Sequence, residues 1–359
     1  MNYNLDIQKI LLEVDKQVNP NDKLVLLKRA INIADANNDI DWGFDLRLHL
    51  IHCEQHTSRS EERFPAFTWI LNVFDSTPDY FSEHDIEVIL AEYQWMAFEV
   101  YRNADISRDQ INAVFNDFAR RLEQNGYTMR VYYSIMSGWH LFLGEIDEAE
   151  KYIELRDSLP RDVFYYESEL IEKVCVELVR GNFDKAIALA HKQIIPNANN
   201  SEARIDSISM LCTLIYYLSK AGDKRADTFF YQIDEEIKKL PHLFPFSLNT
   251  FALLMHHMAI ADPEKAWSYF PLCTEWAIGA RDLISFEFSL NLLPLLKQGG
   301  TRKLNLNSNL PYYRTDGIYN VDELYEYYLN LTLSYVSRFD ARNGSAHFKE
   351  QFDEVFDMI

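Results

Sequence analysis

Four side chains that bind metals in other proteins lie close together near the start of the chain. They are His49, His52, Cys53 and His56. At offsets of 0, 3, 4 and 7 residues they would share one face of a helix, and imidazole and thiolate groups are good ligands for zinc or nickel. Four ligands along one straight helix do not surround a single ion, so a site needs two of them and further ligands from another helix. Cys53 also continues an apolar stripe with Leu46, which favours packing of this face over metal binding.

The sequence lacks the short motifs of common catalytic sites. It contains no Gly-x-x-x-x-Gly-Lys-Ser/Thr phosphate loop, no His-Glu-x-x-His zinc motif and no Gly-x-Ser-x-Gly nucleophile motif. Carboxylates are abundant, but no spacing selects an acid/base pair from them. We therefore expect a non-enzymatic protein without a cofactor, and the alternative is a helical metal-binding protein or enzyme built on the four ligands named above.

Composition and charge restrict the class of partner. The chain has 359 residues, 48% of them hydrophobic, with only 11 glycines and 11 prolines, which is typical of a helical protein with short turns. A net charge of −20 opposes binding to nucleic acid and to anionic membrane surfaces. The N-terminus has no signal-peptide pattern, and no apolar run approaches the roughly 20 residues of a membrane span. Four widely spaced cysteines indicate reduced thiols, so we expect a cytoplasmic protein.

A short phrase recurs four times, at 144–149, 181–186, 222–226 and 261–266. Each copy starts with a small residue that would end one helix, and it finishes with an alanine that would lie on the buried side of the next. The alanines are separated by 37, 40 and 40 residues. Helix pairs of this size cannot bury their apolar faces alone, so they stack. The pattern predicts an all-α protein, an α-solenoid of antiparallel helix pairs.

Helical periodicity extends almost from end to end, with recognisable helix starts. Ser107 and Gln110 form a predicted capping box, and Asp262 before Pro263 predicts another helix start. The exception is 298–320, where glycine, proline and asparagine predict an irregular loop. We therefore predict a helical repeat array over 1–297, this loop, and C-terminal helices over 321–359 that cap the same continuous domain. The loop is either disordered or a plain surface excursion, or it is a lid over the groove that uses Tyr312, Tyr313 and Arg314.

The phrases at 144–149 and 181–186 resemble the central turn of tetratricopeptide repeats, and the resemblance is clear over about 127–280. It departs from that family in its spacing, which exceeds the usual period of about 34 residues. The chain also resembles a group of bacterial tetratricopeptide-like proteins of similar length, in the stretches 64–71, 159–162 and 339–345. The resemblance implies a right-handed superhelix and no particular activity.

In tetratricopeptide proteins the first helix of each pair lines a concave groove, and the resemblance implies which positions would face it. The candidate groove residues are Leu141, Phe142, Ile171, Tyr216, Lys220, Phe251 and Met255. Because they are mostly apolar, they do not form a clamp for a peptide carboxylate. They suit an apolar segment or another part of the same chain. We therefore expect a scaffold, an adaptor or sensor, that binds a protein or peptide.

Overall fold

The structure is a computed structural model that describes residues 3–164, 169–192, 194, 201–237 and 248–358. Within these ranges it is almost entirely helical, which confirms the predicted all-α class. The α-helices are α1 Tyr3–Val14, α2 Pro20–Ala36, α3 Ile40–Gln55, α4 Arg63–Ser76, α5 Glu83–Val100, α6 Arg108–Gln124, α7 Arg130–Leu143, α8 Ile146–Asp157, α9 Leu170–Val179, α10 Phe183–Ala190, α11 Ser201–Lys220, α12 Arg225–Ile237, α13 Leu248–Ala261, α14 Pro263–Trp276, α15 Asp282–Leu296, α16 Val321–Asn343 and α17 His347–Phe356.

The predicted glycine turns are confirmed, and three of them share one hydrogen-bond pattern. Gly144, Gly181 and Gly222 have φ angles of +77°, +75° and +67°. In each turn the residue after the glycine donates its backbone N–H to the carbonyl five residues earlier, at 2.8, 2.9 and 2.9 Å. This bond closes the preceding helix as a Schellman motif. The alanines of the four phrases are all buried: Ala149, Ala186, Ala226 and Ala266.

Two predicted helix starts are also confirmed. Ser107 and Gln110 form the complete capping box of α6, in which each side chain accepts a hydrogen bond from the other residue's backbone N–H. At the start of α14 the Asp262 carboxylate accepts from the N–H of Lys265, and Pro263 occupies the first turn. Both caps satisfy backbone donors that the helix itself leaves free.

The Cα positions divide the chain into two compact units, and the boundary falls inside α5. The first unit contains residues up to Met96, together with Gly279–Arg281. In it, consecutive helices from α1 to α4 pack against each other. The second unit contains the other described residues from Ala97 onward. A single continuous array over 1–297 stays a prediction.

Helices of the second unit pack in pairs, and the first members of neighbouring pairs contact each other. Contacts join α7 with α8, α9 with α10, α11 with α12, and α13 with α14. Further contacts join α7 with α9, α9 with α11, α11 with α13, and α13 with α15. We call these five helices (α7, α9, α11, α13 and α15) the first-helix row. Their burial against each other makes the row the core of this unit.

A buried ion-pair network supports the start of the first-helix row. Arg156 of α8 is only 1% exposed, and its guanidinium pairs with Glu172 of α9. Arg130 of α7 pairs with Glu169 and donates to the carbonyl of Arg156 at 2.9 Å. Charges this deeply buried are tolerated only when they are paired and hydrogen-bonded. The network therefore fixes α7, α8 and α9 relative to one another.

The segment 298–320 is more regular than the sequence predicts, which corrects the expectation of an irregular loop. Strands β1 Thr301–Lys303 and β2 Ile318–Asn320 pair antiparallel. Between and within them, Leu306, Leu310 and Tyr319 are buried, with exposed fractions of 6%, 7% and 2%. These three apolar side chains are scattered among asparagines, so no periodic pattern reveals them in the sequence.

Tyr312, one of the proposed lid residues, holds this segment against α16. Its hydroxyl lies 2.6 Å from the hydroxyl of Tyr328. Arg314 forms an ion pair with Asp316 inside the segment, and Tyr313 is 41% exposed. The three residues therefore have different environments, and a lid that uses them stays a prediction.

Candidate functional site

The seven residues predicted to line a groove differ widely in exposure. Phe251, Met255 and Tyr216 are 2%, 0% and 7% exposed. The remaining four are half-buried: Leu141, Phe142, Ile171 and Lys220. The first three are therefore corrected from groove residues to core residues.

The packing of α13 explains why Phe251 and Met255 are core residues. This helix contacts α11, α14 and α15, so most of its circumference is covered. The ring of Phe251 lies 5.0 Å from Tyr269 and 6.0 Å from Trp276, both on α14. Tyr216 of α11 packs edge-on against His256 of α13 at 5.5 Å. Phe251 thus joins α13 to its pair partner α14, and Tyr216 joins α11 to α13 within the row. A count along the sequence does not reveal either contact.

Two of the half-buried residues, Phe142 and Lys220, contact the chain's own C-terminal helices. Phe142, in the last turn of α7, lies 5.6 Å from Phe339 of α16 and 5.1 Å from Phe348 of α17. Lys220, at the end of α11, forms an ion pair with Glu354 of α17. The ammonium group also lies 5.2 Å from the ring of Tyr216. Another part of the same chain thus contacts two of the residues predicted to line a groove.

Phe348 is the centre of the contact between α17 and the first-helix row. It is 1% exposed and stacks on Phe339 of α16, with ring centres 4.5 Å apart. Its ring also meets Phe286 of α15 edge-on at 5.0 Å, in addition to Phe142. Stacked and edge-on aromatic pairs at these distances stabilise packing beyond the area they bury. We call Phe142, Lys220 and Phe286 the docking face, because these three row residues receive α17.

The chain between α16 and α17 orients α17 on the docking face. Gly344 ends α16 in the left-handed conformation, with φ +69°. The Asp340 carboxylate then accepts hydrogen bonds from the N–H groups of Phe348 and Lys349, both at 2.9 Å. A negative charge at a helix N-terminus satisfies free donors and interacts favourably with the helix dipole. Asp340 therefore fixes the direction in which α17 leaves the turn.

Arg342, near the end of α16, contacts a ring of α7 and the backbone at Asn103. Its guanidinium lies 5.4 Å from the ring centre of Phe142 and 5.2 Å from that of Phe339. It donates to the carbonyl of Asn103 at 2.7 Å. Burial lowers the pKa of Arg342 to about 10, so its positive charge is retained near neutral pH. The cation thus contacts the same rings that Phe348 packs against.

The C-terminal residues at this site were not among the sequence-based candidates. Phe348, Phe352 and Val355 follow a spacing of four and three residues, which places one apolar stripe on α17. This apolar stripe is the one feature of the sequence that points to these residues. It indicates that α17 is amphipathic, but it does not indicate which surface the stripe packs against.

A titratable carboxyl group lies on α15, on the residue that follows Phe286. From Ile284 to Leu296 every residue is buried except Glu287, which is half-buried. Burial raises the pKa of Glu287 to about 7, and the nearby positive charge of Arg102 opposes the rise. Arg102 itself donates to Glu99 at 3.3 Å. Glu287 is thus a titratable group within a helix that is otherwise core.

The four potential metal ligands lie on α3 and its C-terminal cap in the first unit. Cys53 is buried, which raises the pKa of its thiol and disfavours the thiolate. The Nε2 atom of His52 lies 2.6 Å from a carboxylate oxygen of Glu92, a contact that raises the histidine pKa. In the described part of the chain, no three His, Cys, Asp or Glu side chains are grouped so that they could hold a metal ion. The metal alternative therefore gains no support from the geometry.

Comparison with known proteins does not assign the chain to a family. No protein-family model matches it, and no curated protein is significantly similar to it. Among the helices whose bounds are described, none has both the length and the apolar composition needed to cross a bilayer. The tetratricopeptide resemblance therefore depends on the residues of this chain alone.

Alanine at Gly144 tests the contact between α7 and α17. A Cβ there would overlap the imidazole of His347, whereas Gly222 has no atom within 4 Å of an added Cβ. Both glycines have positive φ, so each Gly→Ala change costs about 1–2 kcal/mol of strain. We expect Gly144→Ala to lower the free energy of unfolding by about 1–3 kcal/mol more than Gly222→Ala, because of the extra overlap. Chemical denaturation measures the difference.

The double variant Gly144→Ala/His347→Ala is the control for that overlap. Without the imidazole, the cost of the added methyl group should approach the cost at Gly222. A cost at Gly144 that is unchanged by removal of His347 would contradict the described packing of α17.

Glu287→Gln tests whether the pKa of this carboxyl group is raised, because the effect of the variant on the free energy of unfolding should then depend on pH. Because the folded pKa of about 7 lies above the ordinary value of 4.5, folding takes up a proton between these pH values. The contribution of Glu287 to the free energy of unfolding therefore falls as pH rises through this window. Glutamine is neutral throughout, so the free energy of unfolding of the variant should match that of wild type near pH 4 and exceed it near pH 8. Urea unfolding at both pH values measures this, and a pH-independent difference would contradict it.

Proposed function

We propose that this chain is a tetratricopeptide-like α-solenoid, a right-handed superhelix of helix pairs, and that it serves as a non-enzymatic scaffold for a protein or peptide. The first-helix row is the binding surface in this proposal. Stacked helix pairs present a preformed surface, so a partner binds without a large ordering cost in the scaffold. We expect neither nucleic acid nor membrane lipid as the partner, since the net charge is −20.

Two regularities of the second unit support the solenoid part of the proposal. The same Schellman turn closes the first helix of three successive pairs, at Gly144, Gly181 and Gly222. Contacts also run from each first helix to the next along the row. A repeated turn combined with a repeated neighbour contact is what a stack of equivalent units requires.

One observation carries the binding part of the proposal: the first-helix row already receives an amphipathic helix of this chain. Phe348 of α17 packs against Phe142 and Phe286, which belong to two different helices of the row. Aromatic side chains buried by a helix that crosses several scaffold helices are typical of helix-in-groove recognition. The row thus has the composition needed to bind a helix or an apolar segment.

Ile171 of α9 provides the direct test, because it is half-buried on the row and lies outside the docking face. We expect the purified chain to capture a stoichiometric partner from an extract of its source cells. Ile171→Glu should weaken that capture by at least about tenfold, because a charge would be desolvated at the contact. Pull-down with mass spectrometry identifies the partner, and titration with the purified partner measures the affinity.

Tyr231→Ala is the matched control. Tyr231 is 73% exposed, and it lies on α12, which is the second helix of a pair and so is not part of the first-helix row. It should leave the affinity unchanged, and circular dichroism should show equal helicity in both variants. Loss of capture with Tyr231→Ala but not with Ile171→Glu would contradict the use of the first-helix row. A chain that captures no partner would contradict the scaffold function itself.

A further inference from the structure

The terminal helix α17 is a short element with few deeply buried residues. It has ten residues, of which Phe348, Phe352 and Val355 are buried. An isolated helix of this length is not stable in water, so α17 depends on its contacts for its conformation. Directly after α17, Asp357 and Met358 are exposed, Met358 at 44%.

The connection to α16 allows α17 to move. Gly344, Ser345 and Ala346 join the two helices. Gly344 has a positive φ, and a Cβ added there would have no atom within 4 Å. A glycine with open surroundings permits large changes in φ and ψ. Separation of α17 thus needs changes at the turn while α16 keeps its own contacts with α15.

The charges at the docking face specify what kind of helix fits there. The Lys220 side chain is 16% exposed, and it points at Glu354, which is 58% exposed. Burial of an ammonium group is favourable only when it has a negative partner, so the face selects for an acidic residue at this position. The apolar part of the face selects for an aromatic residue at the place of Phe348. In α17 the acidic residue, Glu354, follows Phe348 by six positions.

We propose that α17 is a displaceable occupant of the docking face, and that the partner bound there is an amphipathic helix with the features of α17. In α17 those features are two aromatic residues four positions apart, Phe348 and Phe352, and an acidic residue two positions after Phe352, which is Glu354. This inference rests on the proposed function, and it adds both the class of partner and a regulatory contact. The chain is autoinhibited at this face, since the tethered helix competes at an effective concentration on the order of millimolar.

A charge-reversal series in the full-length chain tests the displacement. The probe is a fluorescein-labelled synthetic peptide with the sequence of residues 345–358, titrated by fluorescence anisotropy. Glu354→Lys places two ammonium groups against each other and so weakens the tethered helix, while Lys220 stays available to the probe. We expect this variant to bind the probe about tenfold more tightly than wild type does. Amide hydrogen exchange in α17 should be faster in the same variant.

Two further variants are matched controls for that charge effect. Lys220→Glu weakens the tethered helix and the probe equally, so it should give no gain in probe binding. The double variant Lys220→Glu/Glu354→Lys restores the tethered ion pair and repels the probe, so it should bind the probe no better than wild type. Phe352→Ala provides a second way to loosen α17 that leaves all charges in place, and it should also increase probe binding.

Three results would overturn the proposal. The first is faster exchange in α17 without any gain in probe binding for Glu354→Lys and Phe352→Ala. The second is exchange that stays at the wild-type rate in both variants, which would make α17 a permanent part of the fold. The third is dimerisation of the variants by exchange of α17, seen by light scattering, which would make a second copy the occupant.

Failure of this inference and failure of the proposed function would give different results. If Ile171→Glu abolishes partner capture but the probe never binds, the scaffold function stands and only the displacement of α17 is wrong. If the probe binds as expected but the chain captures no partner, the docking face accepts a helix while the scaffold function is wrong.

Discussion

The packing of Phe348 on the first-helix row is the contact on which the C-terminal part of this structure depends. Its ring touches Phe142 of α7, Phe286 of α15 and Phe339 of α16. Phe142 and Phe286 are far from Phe348 in sequence, so this single side chain closes two long-range contacts in addition to its contact with α16. Because α17 is too short to be helical alone, its conformation follows from this contact. The carboxylate of Glu354 can reach the ammonium group of Lys220 only when α17 lies on the first-helix row.

This contact matters for the proposed scaffold function, because α17 already lies on the docking face. In that proposal a partner would compete with a tethered helix of the same chain. The affinity for the partner would then be reduced by the free energy of the α17 contact, and this reduction would allow regulation. Glu287, half-buried on α15 with a pKa raised to about 7, adds a pH-sensitive group to the same helix as Phe286.

Local features were predictable from the sequence, and long-range contacts were not. The capping box at Ser107, the cap at Asp262 and the glycine turn at Gly144 depend on neighbours within a few residues, so residue type and spacing suffice. The burial of Phe251 depends on α14, and the pairing of β1 with β2 depends on scattered apolar residues. The docking of α17 depends on residues two hundred positions away. A periodic stripe shows that a face is buried, but it does not identify what buries it.

A double-mutant cycle between Phe142 and Phe348 tests the central claim, that α17 docks on the first-helix row through this aromatic contact. The free energy of unfolding would be measured for wild type, Phe142→Leu, Phe348→Leu and the double variant. The described contact predicts a coupling energy of about 0.5–1.5 kcal/mol between the two positions. Effects that add to within about 0.3 kcal/mol would show that the two side chains do not touch, and would contradict the account.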